Sequence, residues 1–168
     1  MVIDHMNKSR ANNVNVADKK HPKPYETTAG ISWIATRQMQ NRIQLEIQKL
    51  YKEINVEQLL VLMELDYEDG LRPSVLAERL QRSKGTMTSL IRHAEKNEYI
   101  ASTPDPTHKN AKKIFLTLKG KKVHDELSQI INKELQDAMA HVNEEHQAII
   151  HEAMKGMVMR YNPSIFEY

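Results

Sequence analysis

Apolar positions recur along this chain mostly at three- and four-residue steps, and one short stretch breaks that rhythm. From Thr28 onward, Ile31, Ile34, Ile43, Ile47, Leu50 and Ile54 predict a long amphipathic helix. A more apolar helix follows over residues 56–67 and stops at Gly70. Residues 71–90 predict two short helices joined by a tight turn. Pro73 suits a first helical turn, Ser74 is a candidate cap, and Val75, Leu76 and Leu80 stand at helical spacing. Gln81 and Arg82 leave the pattern. Ser83 is expected to cap the second helix, which buries Met87, Leu90, Ile91 and Ala94 and turns Lys84, Thr88, Ser89 and Arg92 outward.

The period then changes. Residues 99–104 and 112–118 are rich in β-branched and aromatic side chains and flank the polar run Asp105, Pro106, Thr107, His108, Lys109, Asn110, which predicts a two-stranded hairpin. Thr117 can cap a helix starting near Leu118 and carrying Val123, Leu127, Ile130, Ile131, Leu135, Ala138 and Val142. A last helix holds Ile149, Ile150, Ala153, Met154, Met157 and Val158 and ends near Arg160, before Pro163. The fold class expected is mainly α with a small two- to three-stranded β-wing. Two helices with a tight turn and a following hairpin are the arrangement of a winged helix-turn-helix, whose second helix enters the DNA major groove.

The segments Leu71-x-Pro73-Ser74-x-Leu76-Ala77-Glu78-x-Leu80, Ser83-Lys84-Gly85-Thr86-x-Thr88-x-Leu90-Ile91, Glu95-Lys96, Asp105-Pro106 and Leu116-Thr117-x-Lys119-Gly120 carry order, spacing and residue type together. In these the chain resembles the MarR-type (multiple antibiotic resistance regulator) winged helix-turn-helix repressors, over roughly fifty residues. The expected organisation is a flexible tail at 1–27, read from composition, then helices at 28–55 and 119–168 to which the resemblance gives a dimerisation role, around a DNA-binding region at 56–118, all in one compact domain. It implies a two-fold homodimer that sets two recognition helices on successive major grooves, and hence a pseudo-palindromic operator. One departure stands out. The family's wing tip carries Asp-x-Arg, with the arginine in the minor groove, whereas the matching positions here are His108, Lys109 and Asn110. Lysine does not reproduce the planar fork of arginine.

Charge sharpens this picture by its distribution. The chain of 168 residues has a net charge of +2, which by itself points to no partner. Residues 72–122 hold twelve Lys and Arg against four acids, and the rest hold twelve against eighteen, so the basic excess coincides with the helix-turn-helix. The residues expected to meet bases or phosphates are Ser83, Lys84, Gly85, Thr86, Thr88, Ser89, Arg92, Lys109, Asn110, Lys112 and Lys113. The first two dozen residues hold five basic and two acidic side chains. They read as a flexible leader, with a DNA arm as the less favoured alternative.

Composition removes several other classes. With no cysteine, disulfides and thiol-based sensing are impossible, including the sensing used by the peroxide-responsive branch of the resembling family. No run approaches a membrane span and no apolar signal core opens the chain, so a cytoplasmic protein without membrane contact is expected. A Gly-rich phosphate loop and a nucleophile elbow are both missing, so no enzyme and no cofactor are expected. His141, His146 and His151 invite a metal reading. Five-residue steps, however, set successive histidines roughly 140° apart on a helix, so solvated surface histidines are favoured and no metal ligand is assigned. His141 with Glu145 does satisfy an i, i+4 step, which keeps a zinc-responsive regulator of the same fold open.

The terminal helices carry more apolar stripe than a small winged domain needs, which is independent support for a second chain. Met39, Met63, Met139, Met154, Met157 and Met159, with Trp33, can line an adaptable pocket or simply core, and the resembling family binds small amphipathic effectors between its dimer helices and the DNA-binding lobe. The expected function is a homodimeric repressor bound to double-stranded operator DNA and released by such an effector. The alternative is a winged-helix module whose basic helix docks on an acidic protein. Small residues at the start of the second helix, with an arginine one turn further in, favour DNA.

Overall fold

The computed structural model describes residues 22–108 and 110–166. The element order is α1 (Thr28–Leu50), α2 (Val56–Tyr67), α3 (Pro73–Arg79), α4 (Lys84–Lys96), β1 (Ile100–Pro104), β2 (Lys112–Leu116), α5 (Leu118–Met139) and α6 (Glu144–Tyr161), with 3-10 turns at Pro24–Glu26 and Pro163–Phe166. The architecture is mainly helical with a small antiparallel wing. The chain divides into two compact units, residues 1–35 and 36–168, the division falling within α1.

In the first unit, residues 22–27 lead into α1 through the 3-10 turn. The Thr27 hydroxyl accepts from the Gly30 amide at 3.0 Å and donates to the Pro24 carbonyl at 3.2 Å. A Cβ on Gly30 would stand 1.9 Å from that carbonyl oxygen, so only glycine permits this approach. The part of the leader before residue 22, and with it the DNA-arm alternative, lies outside the described residues.

In the second unit the start of each element has a local cause. Asn55 and Gln58 cap α2 reciprocally, each side chain accepting the other's backbone amide at 2.9 Å, and this is why a glutamine is buried there. The N-cap of α3 is Arg72, with Pro73 as the first helical residue, so Ser74 lies inside the helix and does not cap it. Gln81 turns the chain between α3 and α4 with φ +50°, in the left-handed region. Ser83 caps α4 by accepting from the Thr86 amide at 3.1 Å, and Thr117 caps α5 by accepting from Gly120 at 2.9 Å.

β1 pairs with β2 from Ile100↔Leu116 to Pro104↔Lys112. Leu71 adds a single bridge to Ile114, its carbonyl accepting from the Ile114 amide at 2.8 Å, so the third strand is one residue long. The expected second strand ends two residues early, because Thr117 and Leu118 are taken up by the cap and first turn of α5.

One core holds the unit together, from Ile47 and Ile54 through Leu59, Leu62, Leu65, Leu76, Met87, Ile91 and Ile114 to Val123 and Leu127. It ends halfway along α5. No residue of α6 is buried, and Ile149, Ile150, Met157, Val158 and Met159 stay exposed. Among the described residues no helix is long and apolar enough to cross a membrane.

Candidate nucleic-acid interface

The core face of α4 is Met87, Leu90, Ile91 and Ala94, all buried. Helical geometry sets Gly85, Ser89, Arg92 and Lys96 on the opposite face, at steps of four, three and four. Ser83, Lys84, Gly85, Thr86, Thr88 and Arg92 are exposed, and Ser89 is half-buried. The Thr86 hydroxyl stands 2.9 Å from that of Ser83 and belongs to the cap, while the Thr88 hydroxyl donates to the Lys84 carbonyl at 2.8 Å. A Cβ on Gly85 would meet only the Ser83 hydroxyl oxygen, at 3.9 Å. Internal packing therefore makes no demand for glycine there.

Thr88 and Arg92 of α4 share one groove, of about 370 Å³, with Lys112 of the wing; Pro73, Ile91, Glu95, Ser102 and Ile114 complete its walls. The Ser102 hydroxyl donates to the Glu95 carboxylate and ties β1 to α4. Asn110 is exposed in the wing loop, Lys112 is exposed and Lys113 half-buried on β2, and Lys109 lies outside the described residues.

Ion pairing divides the basic residues of this region into two groups. Arg72 pairs with Asp105 at 2.7 Å, Arg79 with Glu64 at 3.4 Å and with Glu68, and Arg82 with Glu57 at 2.6 Å. Lys119 pairs with Glu98 at 3.3 Å, Lys121 with Asp66 at 2.6 Å, and Lys122 with Glu126 at 3.9 Å. Lys84, Arg92, Lys96, Lys112 and Lys113 have no carboxylate partner among the described residues. About half of the basic excess read from the sequence is thus neutralised inside the fold. The uncompensated part sits on α4 and β2.

Sequence reasoning passed over the wing's internal clamp. The side chain of Asp105 is fully buried; one carboxylate oxygen accepts from the Thr107 amide at 2.9 Å and hydroxyl at 2.7 Å, the other from Arg72 Nε at 2.7 Å. Thr107 foremost, and Arg72 after it, hold the Asp105 carboxyl well below the usual carboxylate range. The signal was present in the Asp-Pro start of the loop and in an arginine directly before Pro73. The distance between them, thirty-three residues, hid the pairing.

Residues 54–110 match the model of the MarR family. The resemblance drawn from the motifs is to that family. Among solved structures, MepR of S. aureus in complex with DNA is 22% identical, with a TM-score of 0.72, and the match covers 83% of this chain and 100% of that one. A point mutant of E. coli MarR complexed with operator DNA is 16% identical at TM-score 0.70, covering 76% and 91%. Wild-type apo MarR of E. coli is 15% identical at TM-score 0.67, covering 79% and 97%. At these identities the likeness shows a common fold, the MarR-type winged helix. No curated protein sequence matches the chain.

The other candidate chemistry is more dispersed. His141, His146 and His151 are exposed. The metal-type donors that do come together among the described residues are Asp66, His124 and Asp125. Lys121 Nζ lies 2.6 Å from Asp66 and 2.9 Å from Asp125, so an ammonium already bridges those carboxylates. The methionines do not converge. Met39 lines a hollow of about 230 Å³ between α1 and α5 with Arg42, Ile43, Glu134, Leu135 and Ala138, whereas Met139 and Met154 line another between α5 and α6.

Proposed function

We propose that this protein is a sequence-specific DNA-binding transcriptional regulator, acting as a homodimeric repressor on a pseudo-palindromic operator and released by a small amphipathic effector. The observation that carries the reading is the placement of the unpaired cations: Arg92 and Lys112 line the groove between α4 and the wing, and Lys84, Lys96 and Lys113 stand on the same two elements, while the other described cations of the region are neutralised. Uncompensated cations beside a helix of small polar residues suit a phosphate backbone flanking a major groove. No large apolar residue stands on the outward face of α4, which disfavours a protein-docking helix.

The dimer is supported by α6, which keeps Ile149, Ile150, Met157, Val158 and Met159 exposed and has no fully buried residue within one chain. An effector that binds better to the DNA-incompetent spacing of the two recognition helices needs a coupling of only about 1–3 kcal/mol to release the operator. The α1–α5 hollow offers a small effector an apolar wall through Met39, Ile43 and Leu135, while Arg42 at its edge is already paired with Glu134 at 3.0 Å and Glu46 at 2.8 Å.

The test is selection from a pool of random duplex DNA at two salt concentrations. Enrichment of an inverted repeat with half-sites about one helical turn apart is the expected result. Absence of binding at low salt overturns the DNA reading and leaves protein docking.

A further inference from the structure

The turn between α3 and α4 puts a glutamine where the backbone favours glycine. Leu80 is the C-cap of α3, and two nested hydrogen bonds close the helix behind it: the Arg82 amide donates to the Ala77 carbonyl at 2.8 Å and the Gln81 amide to the Glu78 carbonyl at 3.0 Å. This is the Schellman closure, whose left-handed position is usually glycine because a Cβ there is strained. Gln81 holds that position, with φ +50°. A residue kept in a strained backbone conformation points to a use for its side chain.

That use lies at the end of α6. Gln81 Nε2 donates at 3.4 Å to the carbonyl of Tyr161, the last residue of α6, where carbonyls lack a partner within the helix. Beyond it the turn at Pro163–Phe166 sets Ile165 beside a groove of about 460 Å³, shared with Leu60 and Tyr67 of α2 and with Leu80 and Gln81. A second glutamine fixes the other end of α6: Gln147 Nε2 donates to the carbonyls of Val142 at 2.7 Å and Met139 at 3.3 Å, in the turn from α5. Between these two ties no residue of α6 is buried. With eighteen residues, α6 is about 27 Å long and runs from the outer end of α5 back to the helix-turn-helix.

We propose that Gln81 is a positioning residue for DNA binding: through the Tyr161 carbonyl it ties the start of α4 to the end of α6, and so sets the distance between the two recognition helices of a dimer. The inference rests on the homodimeric DNA-binding reading above and names the contact through which α6 acts on the helix-turn-helix. Ser83, the cap of α4, follows Gln81 by two residues, so a displacement of the end of α6 passes to the first turn of α4. The core stops at Leu127, halfway along α5, and the tie gives the lobe a second attachment to α6 besides the route through the outer half of α5. Gln81 itself contacts no DNA in this scheme.

The experiment compares wild type, Gln81→Gly and Ile165→Asp on duplexes that carry the selected inverted repeat with spacers one and two base pairs longer and shorter, and on a single half-site. Each added base pair shifts one half-site by about 3.4 Å and by roughly a tenth of a turn. Wild type is expected to prefer one spacing. Both variants are expected to lose at least about fivefold of that discrimination while binding the single half-site as wild type does. The preference is a ratio between duplexes, so any unfolded fraction cancels from it. Glycine suits the left-handed position, so Gln81→Gly should also resist urea at least as well as wild type, which separates loss of the tie from loss of the fold. An unchanged spacing preference in Gln81→Gly overturns the proposal, as does an equal loss of affinity on every duplex including the half-site. Failure of the DNA-binding reading itself looks different: wild type then selects no inverted repeat at all, and the proposal falls with it.

Discussion

Gly120 of α5 lies so close to the carbonyl of Tyr99 that a Cβ on the glycine would stand 1.9 Å from that oxygen. The contact seats α5 on the segment between the end of α4 and the start of the wing, and the Thr117 hydroxyl, which donates to the Glu98 carbonyl at 2.6 Å, closes the same junction. Gly120→Ala is therefore expected to cost at least about 1–3 kcal/mol, since a backbone atom must move to admit the methyl. Gly85→Ala is the contrasting substitution. It has open space in the first turn of α4, should leave stability unchanged or raise it by less than about 1 kcal/mol, and should weaken DNA binding if the duplex presses on that face. Urea unfolding and DNA titration of the two variants check both statements.

Arg92 and Arg82 differ in the state in which their charge is used. Arg92→Ala is expected to lose about 1–3 kcal/mol of binding and to relax preference at one base position. Arg82 is spent on Glu57 in an exposed pair, so Arg82→Ala should change stability by less than about 1 kcal/mol and leave the salt slope as it was. Lys112→Ala and Lys113→Ala should weaken binding on all sequences alike and flatten the slope. An unchanged slope in both would remove the wing from the DNA.

Acid should loosen the wing through Asp105. Its carboxyl is held below its ordinary value of 3.8, first by the Thr107 hydroxyl and amide and then by Arg72, so the ionised form favours the folded loop. That contribution is fully present above the ordinary value and is lost as pH falls below it. Asp105→Asn should thus be less stable than wild type near neutrality, with the difference shrinking progressively in acid. A gap between the two unfolding curves that is the same at all pH values would refute this account.

Alkali should act through Tyr51. Its phenol donates to Glu126 at 2.5 Å, and this hydrogen bond, with burial second, pushes its pKa up to about 12. A raised phenol pKa means that the protonated form is favoured in the fold. The contribution is complete below about pH 10 and disappears as pH rises toward 12. Unfolding followed beside phenolate absorbance should show stability falling over that window, and Tyr51→Phe should flatten the fall.

Ile150 and Met157, exposed on α6, should lie in a subunit interface. Ile150→Asp and Met157→Asp are expected to shift the protein from dimer to monomer in sedimentation while leaving the helical circular dichroism of each chain in place. They should also weaken operator binding strongly, because one chain reaches only one half-site. A wild-type protein that sediments as a monomer removes the dimer from the proposal.

The elements were legible in the chain because their signals are local. Pro73, Ser83, Thr117 and Gly70 act within a few residues of themselves, and the three- and four-residue recurrence of Met87, Leu90, Ile91 and Ala94 marks the buried face of α4 directly. The MarR-type winged fold followed from the order of those signals. What the chain could not disclose is which of its charges are compensated. Arg82 and Arg92 look alike in sequence, and only the approach of Glu57 on α2, twenty-five residues away, neutralises one and leaves the other. Likewise His108 and Asn110 read as a wing tip lacking its arginine, until the fold brings Arg72 from α3 onto the His108 ring. Helix caps and apolar periodicity depend on the nearest turn of chain, whereas ion pairing and side-chain orientation depend on distances through space, and those were decided by how α2, α3 and the wing close on one core.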